Sequence, residues 1–336
     1  MNGILQGNKI RTAALILGVF ISLIAMVLSV VLGYTDTSLS MAIEAYTAFN
    51  GSNEHLIIHL SRVPRALVGM AVGISLGIAG VLMQALTRNP IASPDIFGVN
   101  AGAGFFIVFG VTFLGITSIQ QFMWIGFLGA AVASSLAYAL GSAGRGGLTP
   151  VKLTLAGAVM AALFASLTQG MLVTNEKALD EVLFWLAGSV EGRKLSMLAE
   201  VMPALLIAWI VSILLSRQLN AFALGEDVAV SLGQKTVIFK FAAALMVVLL
   251  AGGSVAIAGP ISFIGIVVPH FARYLVGSDH RWIVPFSALT GGIMLVLADI
   301  GARFIIMPEE APVGVVTALL GTPFFIYIVR KGIFHR

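Results

Sequence analysis

The sequence predicts an all-α, polytopic membrane protein. Composition is the first reason: of 336 residues, 59% are hydrophobic and only 10% charged, with a mean hydropathy of +1.02. A soluble domain carries about 25% charged residues. The second reason is how the apolar residues are grouped. They form ten runs, at about 12–33, 63–86, 97–115, 119–141, 152–174, 197–216, 237–258, 261–276, 283–303 and 312–330. Most approach the roughly 20 residues that a helix needs to cross the hydrocarbon core. The third reason is the placement of charge: span interiors are nearly free of it.

Taken in order, the first run is too long for a signal-peptide core and lacks a small-residue cleavage site, so it reads as a retained span. The third and eighth runs are short and flanked by Gly and Pro. An even number of spans puts both termini on one side. The positive-inside rule names that side cytoplasmic. Lys9, Arg11, Arg88, Arg145, Lys152, Arg217, Lys235, Lys240, Arg273, Arg281, Arg330, Lys331 and Arg336 all fall there. The other side is mixed, with Glu44, Glu54, Glu176, Asp180, Glu181, Glu191, Glu309 and Glu310 against Lys177, Arg193 and Lys194. Arg62, Arg65 and Arg303 break the rule there. The net charge of +4 is spread over span ends and gives no nucleic-acid signal. The whole chain, 1–336, reads as one transmembrane domain.

In the second span Gly69, Gly73, Gly77 and Gly80 recur on neighbouring turns. Small residues let helices approach closely where hydrophobic drive is absent, which makes close packing the simplest reading. Residues 73–80 (GISLGIAG) and 252–259 (GGSVAIAG) match at five positions, in spans of opposite direction. This is a weak inverted repeat of the kind found in transporters. The polar or Pro-rich residues that follow, 87–95 and 259–263, are candidate broken helices.

One polar stretch, within 217–236, stands between spans six and seven. Leu224, Val228 and Leu232 are four apart and share a helical face. Gly225 breaks the stretch. Glu226 and Asp227 follow where a second short helix begins, and acidic groups suit a helix N-terminus. Gly233 is a candidate cap at its end. Two short surface helices that offer Phe222, Leu224, Val228 and Leu232 to another protein are one reading. A solvated connecting loop is the other.

Enzymatic chemistry is not visible. No phosphate-binding GxxxxGK[ST] pattern occurs. His55, His59, His270, His280 and His335 are scattered, and His55 and His59 fit a surface helix better than a metal site. Cysteine is absent, so there is no disulfide or thiolate site. Asp299 and Arg303 are four apart and suited to pair. No carboxylate–histidine chain crosses mid-membrane, which argues against a stand-alone ion-coupled carrier. Arg62-Val-Pro-Arg65 opens span two on the outer side. Snorkelling accounts for one such arginine. Two, with Arg303, suggest an acidic partner approaching from outside.

Five stretches carry a resemblance: 62–65 (RVPR), 77–104 (GIAGVLMQALTRNPIASPDIFGVNAGAG), 219–233, 258–273 (AGPISFIGIVVPHFAR) and 298–323 (ADIGARFIIMPEEAPVGVVTALLGTP). Through them the chain resembles the permeases of the iron-siderophore and vitamin B12 class of bacterial ABC importers, the FecCD family. The resemblance implies two permeases side by side, a cytoplasmic ABC ATPase dimer and an extracytoplasmic substrate-binding protein. It gives the coupling role to Leu219, Phe222, Leu224, Gly225, Glu226, Asp227, Val228, Leu232 and Gly233. Arg62, Arg65 and Arg303 would receive acids from the binding protein, and residues 270–281 would form a second cytoplasmic contact. Transport would proceed by alternating access in the cell membrane, with no cofactor and no catalytic residue on this chain. A ferric siderophore is the expected cargo, with cobalamin or haem as the alternatives.

Overall fold

The computed structural model describes residues 3–35, 37–144, 149–175, 179, 182–183, 185–307 and 309–330, with backbone alone at 328–329. Arg145, Glu176, Lys177, Asp180, Glu181, Lys331, His335 and Arg336 of the charge map lie outside them. Fourteen α-helices fall within the described residues: α1 Asn8–Val31, α2 Leu39–Thr47, α3 Asn53–Ile57, α4 Val63–Thr87, α5 Val99–Leu114, α6 Ile119–Ser142, α7 Pro150–Thr174, α8 Leu195–Leu214, α9 Ser216–Ala223, α10 Glu226–Ser231, α11 Thr236–Ala258, α12 Ile264–Val276, α13 His280–Ile305 and α14 Val313–Arg330. Each of the ten predicted runs is a helix. Seven described helices are long and apolar enough to cross a membrane, and three shorter apolar ones match runs three, eight and ten.

α4 is the central helix, and almost every residue along it is buried. Its broadest contact is with α13, followed by α11 and α12. The glycine stripe explains the closeness. A Cβ on Gly73 would stand 2.3 Å from the Gly291 carbonyl oxygen, one on Gly77 2.3 Å from that of Ser287, and one on Gly80 2.1 Å from that of Gly265. Backbone therefore lies on backbone along the length of α4. Gly69 differs, since its Cβ would meet only a Val296 methyl at 3.6 Å.

The two repeat motifs share local geometry. Ser75 and Ser254 are both buried, and each hydroxyl donates to the carbonyl four residues back, at 2.8 and 2.6 Å. The motifs end differently. α4 runs on to Thr87 and stops at Arg88, a left-handed residue at φ 50°. α11 stops inside its motif, at Ala258, where Gly259 (φ 72°) and Phe263 (φ 69°) turn the chain. Both breaks precede short helices: α5, after a 3-10 turn at Pro94–Phe97, and α12, with 13 residues or about 20 Å of rise. Non-helical backbone at such depth must find partners within the protein. It does: the Ala258 carbonyl accepts from Ser189 N–H at 2.8 Å, and the Gly188 carbonyl from Gly314 N–H at 2.9 Å. The loop before α8, the break after α11 and the start of α14 are thereby joined.

His55 and His59 are not on a bare surface helix. His55 is buried and accepts from Asn50 N–H, while His59 Nε2 lies 2.6 Å from the Ala45 carbonyl. Tyr46 and Phe49 close around their rings.

Candidate functional site

The polar stretch folds as two short helices, α9 and α10. Leu215 and Ser216 carry α8 into α9 with little interruption, so the first of the pair is a rigid extension of a span. Gly225, at φ 131°, turns the chain, a conformation that favours glycine. Glu226 and Asp227 then occupy the first turn of α10, where acidic groups meet the positive end of the helix. Gly233 (φ 81°) donates to the Val230 carbonyl and Gln234 to that of Ala229 at 2.9 Å. This pair of bonds is a Schellman ending with glycine in the left-handed position, as the sequence predicts.

The apolar residues of this segment divide into two sets. Leu224 (71% exposed), Val228 (41%) and Leu232 (67%) stand in solvent. Leu219 and Phe222 are buried, so Phe222 is not offered outward as expected. Its ring packs 5.2 Å from Phe239, with the Arg88 guanidinium 4.8 Å from its centroid. The reason is helical phase: residues two apart, as Phe222 and Leu224 are, do not share a face. Leu219 and Phe222, three apart on α9, turn inward, and Leu224 lies beyond the end of that helix.

The pair is tied to the spans at both helices. Glu226 pairs with Lys240 of α11 at 2.5 Å. Asn220 of α9 donates to Asp279 at 2.7 Å, and its own oxygen accepts the His280 N–H at 2.8 Å, fixing α9 to the turn that starts α13. Hydrogen bonds from Arg281 and Asn220 push the Asp279 carboxyl down to about 2, so it stays an anion. At the same end, Arg273 of α12 donates to Gln84 of α4, whose amide donates to the Gly265 carbonyl at 3.2 Å. These bonds connect α9 to α13, the helix that packs most broadly on α4. Replacing Asn220 with Ala removes three hydrogen bonds at this joint. We expect transport to fall several-fold with membrane insertion intact, checked by uptake normalised to permease abundance. Unchanged uptake would show that the joint transmits nothing.

At the opposite end the three anomalous arginines line one basin of about 480 Å³, together with Tyr34, Glu191, Glu309 and Glu310. They are not bare charges on the surface. All three are buried, and each holds partners within the chain. Arg62 donates to the carbonyls of Val30 (2.9 Å), Val31 (2.6 Å) and Thr35 and to the Thr37 hydroxyl. Arg303 donates to the carbonyls of Ser29 (2.6 Å) and Leu32 (2.7 Å). Between them they satisfy carbonyls at the C-terminus of α1, where a helix leaves acceptors unpaired and cations are favoured. Asp299 binds Arg65 through Nε and Nη2 (2.8–2.9 Å) and Arg303 at 2.7 Å, so the predicted i,i+4 pair forms. Glu310 takes the remaining Nη1 of Arg65. In the loop beside this cluster, burial and then the charge of Glu310 push Glu191 upward.

Known proteins share this architecture. The chain matches the profile of the FecCD transport family over residues 21–331. The chain belongs to the FecCD transport family. It is 60% identical over 314 residues to the probable siderophore transport system permease protein YfiZ of Bacillus subtilis (strain 168), with 94% of each chain covered. It is 43% identical to the ferric enterobactin transport system permease protein FepD of Escherichia coli (strain K12), with 92% of each covered. A solved inward-facing metal-chelate type ABC transporter superposes with a TM-score of 0.83 at 27% identity, covering 96% of this chain and 99% of that one. This FecCD permease is a multi-pass protein of the cytoplasmic membrane.

Sequence reasoning missed the Asn220–Asp279 joint and the partners of Arg62 and Arg65. One signal for the second was present. Asp299 is the one carboxylate of its span, and a carboxylate there demands cations; Arg303 is the expected partner, and Arg65 binds it bidentately from another span.

Proposed function

We propose that this FecCD permease carries iron(III)-siderophore complexes inward across the cytoplasmic membrane, as the membrane-spanning subunit of an ATP-driven importer working by alternating access. The observation that carries the coupling is the α9–α10 surface. Three exposed apolar side chains, Leu224, Val228 and Leu232, sit on a segment otherwise tied into α11 and α13. Such a surface suits a groove on a cytoplasmic ABC ATPase. Hydrolysis belongs to that separate ATPase dimer, because the chain carries no phosphate-binding loop. A second permease, identical or different, completes the pathway, and the 1–336 chain acts as one domain. Glu226 and Asp227 hold the start of α10, Gly225 and Gly233 set its two ends, and Leu219 and Phe222 position α9 from within. The siderophore cargo rests on the names of the relatives, one a probable siderophore transport permease and one a ferric enterobactin transport permease.

In the same reading the basin at Arg62, Arg65 and Arg303 receives acidic side chains of an extracytoplasmic binding protein. Since the arginines already hold intrachain partners, a docking carboxylate competes with Glu310 for Arg65. Charge reversal at Arg62 plus Arg65 is expected to weaken docking at least tenfold at low salt. The folded state of the variant is checked by its elution profile, and Glu310→Gln serves as a control that should not weaken docking. Unchanged affinity in the double variant would remove the basin from the docking role.

The cargo is tested by uptake of radiolabelled iron, presented as a panel of siderophores, in iron-starved cells with and without the gene. Labelled cobalamin and haem run alongside. Loss of one siderophore class is the expected result. Loss of cobalamin or haem uptake alone would keep the fold and mechanism but overturn the cargo.

A further inference from the structure

A cavity of about 620 Å³ opens between the start of α9 and the start of α11, apart from the arginine basin; Leu232 and Gly233 of the coupling segment are among its lining residues. Its lining has two parts. Leu215, Ile238, Phe239 and Ala242 form an apolar wall, and Arg217 and Lys235 stand at the polar side. Both cations are exposed, and neither forms an ion pair among the described residues. Gln234 also lines the cavity, although its side-chain nitrogen and oxygen are shut off from solvent.

We infer that this cavity is a binding site for one anionic phospholipid of the inner leaflet. Its phosphate is held between Arg217 and Lys235, and an acyl chain lies on the apolar wall. Two arguments choose this occupant. The first is charge: two cations without ion-pair partners line the cavity at the end of the molecule where basic residues collect, and basic pockets on the cytoplasmic side bind anionic headgroups. The second is continuity. Beyond Ile238, Val237, Phe241 and Leu245 of α11 are exposed and apolar, as are Leu214 and Ile213 at the end of α8. That is the surface a lipid chain already covers, so a lipid can enter sideways without breaking any protein contact. A soluble phosphate would use the cations but not the wall. The site lies beside the α9–α10 pair, so an occupied cavity would brace the joint between α8, α9 and α11.

The test is native mass spectrometry of the full-length permease, titrated with dioleoylphosphatidylglycerol or with phosphatidylcholine of the same chains. Wild type is expected to retain one phosphatidylglycerol at about tenfold lower concentration than phosphatidylcholine, and to keep it in excess inorganic phosphate. Arg217→Gln with Lys235→Gln is expected to remove that preference, and Lys235→Arg to restore most of it relative to Lys235→Gln. Variant folding is read from thermal melts. Equal retention of the two lipids, a preference untouched by the double variant, or displacement by inorganic phosphate would each overturn the site. A final arm adds the ATPase: if its assembly expels the lipid, the cavity belongs to the protein partner and the inference fails. Failure of any arm leaves the transport reading intact, since none of them measures uptake.

Discussion

An aspartate at Val228 is expected to abolish ATP-driven transport while the permease still inserts and folds. Val228 is 41% exposed on α10. The substitution should therefore cost the isolated permease little. Seated in an apolar groove of an ATPase, the same carboxylate would be desolvated without a cation. Burying an unpaired charge costs several kcal/mol. Even about 3 kcal/mol lowers affinity roughly a hundredfold. Leu224→Asp should act alike. The check is co-purification with the ATPase together with uptake. A Val228→Asp protein that still co-purifies and transports normally would refute the coupling role. Phe222→Asp is the informative contrast. It buries a charge inside the permease, between Phe239 and Arg88, so it should lower permease abundance and not merely ATPase binding.

Gly80→Leu is expected to prevent folding of the permease altogether. Its Cβ would lie 2.1 Å from the Gly265 carbonyl oxygen and 2.7 Å from the Gly265 Cα. Both are backbone atoms, so no rotamer change relieves the clash. α4 and α12 must separate, and α4 is the helix on which most others pack. The cost should reach or exceed the roughly 3 kcal/mol at the upper end of ordinary overpacking. Gly73→Leu, against the Gly291 carbonyl, should behave in the same way. Gly69→Ala is the control, because its new methyl would meet only Val296 at 3.6 Å and should change stability by less than about 0.5 kcal/mol. The measurement is membrane abundance and detergent melting of the three variants. Equal abundance would mean that the stripe is not a packing device.

The fold was largely legible because membrane spans obey few rules. Hydrophobic length located all ten helices, and Gly and Pro marked the two broken ones. Boundaries moved where local chemistry intervened: run eight begins at Ile264 and not at 261, because Gly259 and Phe263 hold left-handed conformations that delay the helix. The coupling segment was legible in its elements, through Gly225, the acidic first turn and the Gly233 cap. Its facing was not. Residues two apart, as Phe222 and Leu224 are, do not share a helical face, so only one of them can look outward, and the structure turns Phe222 inward and leaves Leu224 in solvent. The arginines show the same limit. Their breach of the charge rule was visible, but the carbonyls that bind Arg62 lie 27–32 residues away in sequence. Asp299 lies 234 residues from Arg65. Such partners follow from the packing of α1, α4 and α13, which no local pattern encodes.

The most direct test is entry of a radiolabelled ferric siderophore into proteoliposomes that hold the permease and its ATPase, with binding protein added on one side. ATP or no nucleotide is supplied on the ATPase side, in the presence and absence of an imposed ion gradient. The account predicts uptake that requires ATP, ignores the gradient and is lost with Val228→Asp. Uptake that needs no ATP and follows the ion gradient would contradict it, and would make the chain a stand-alone carrier.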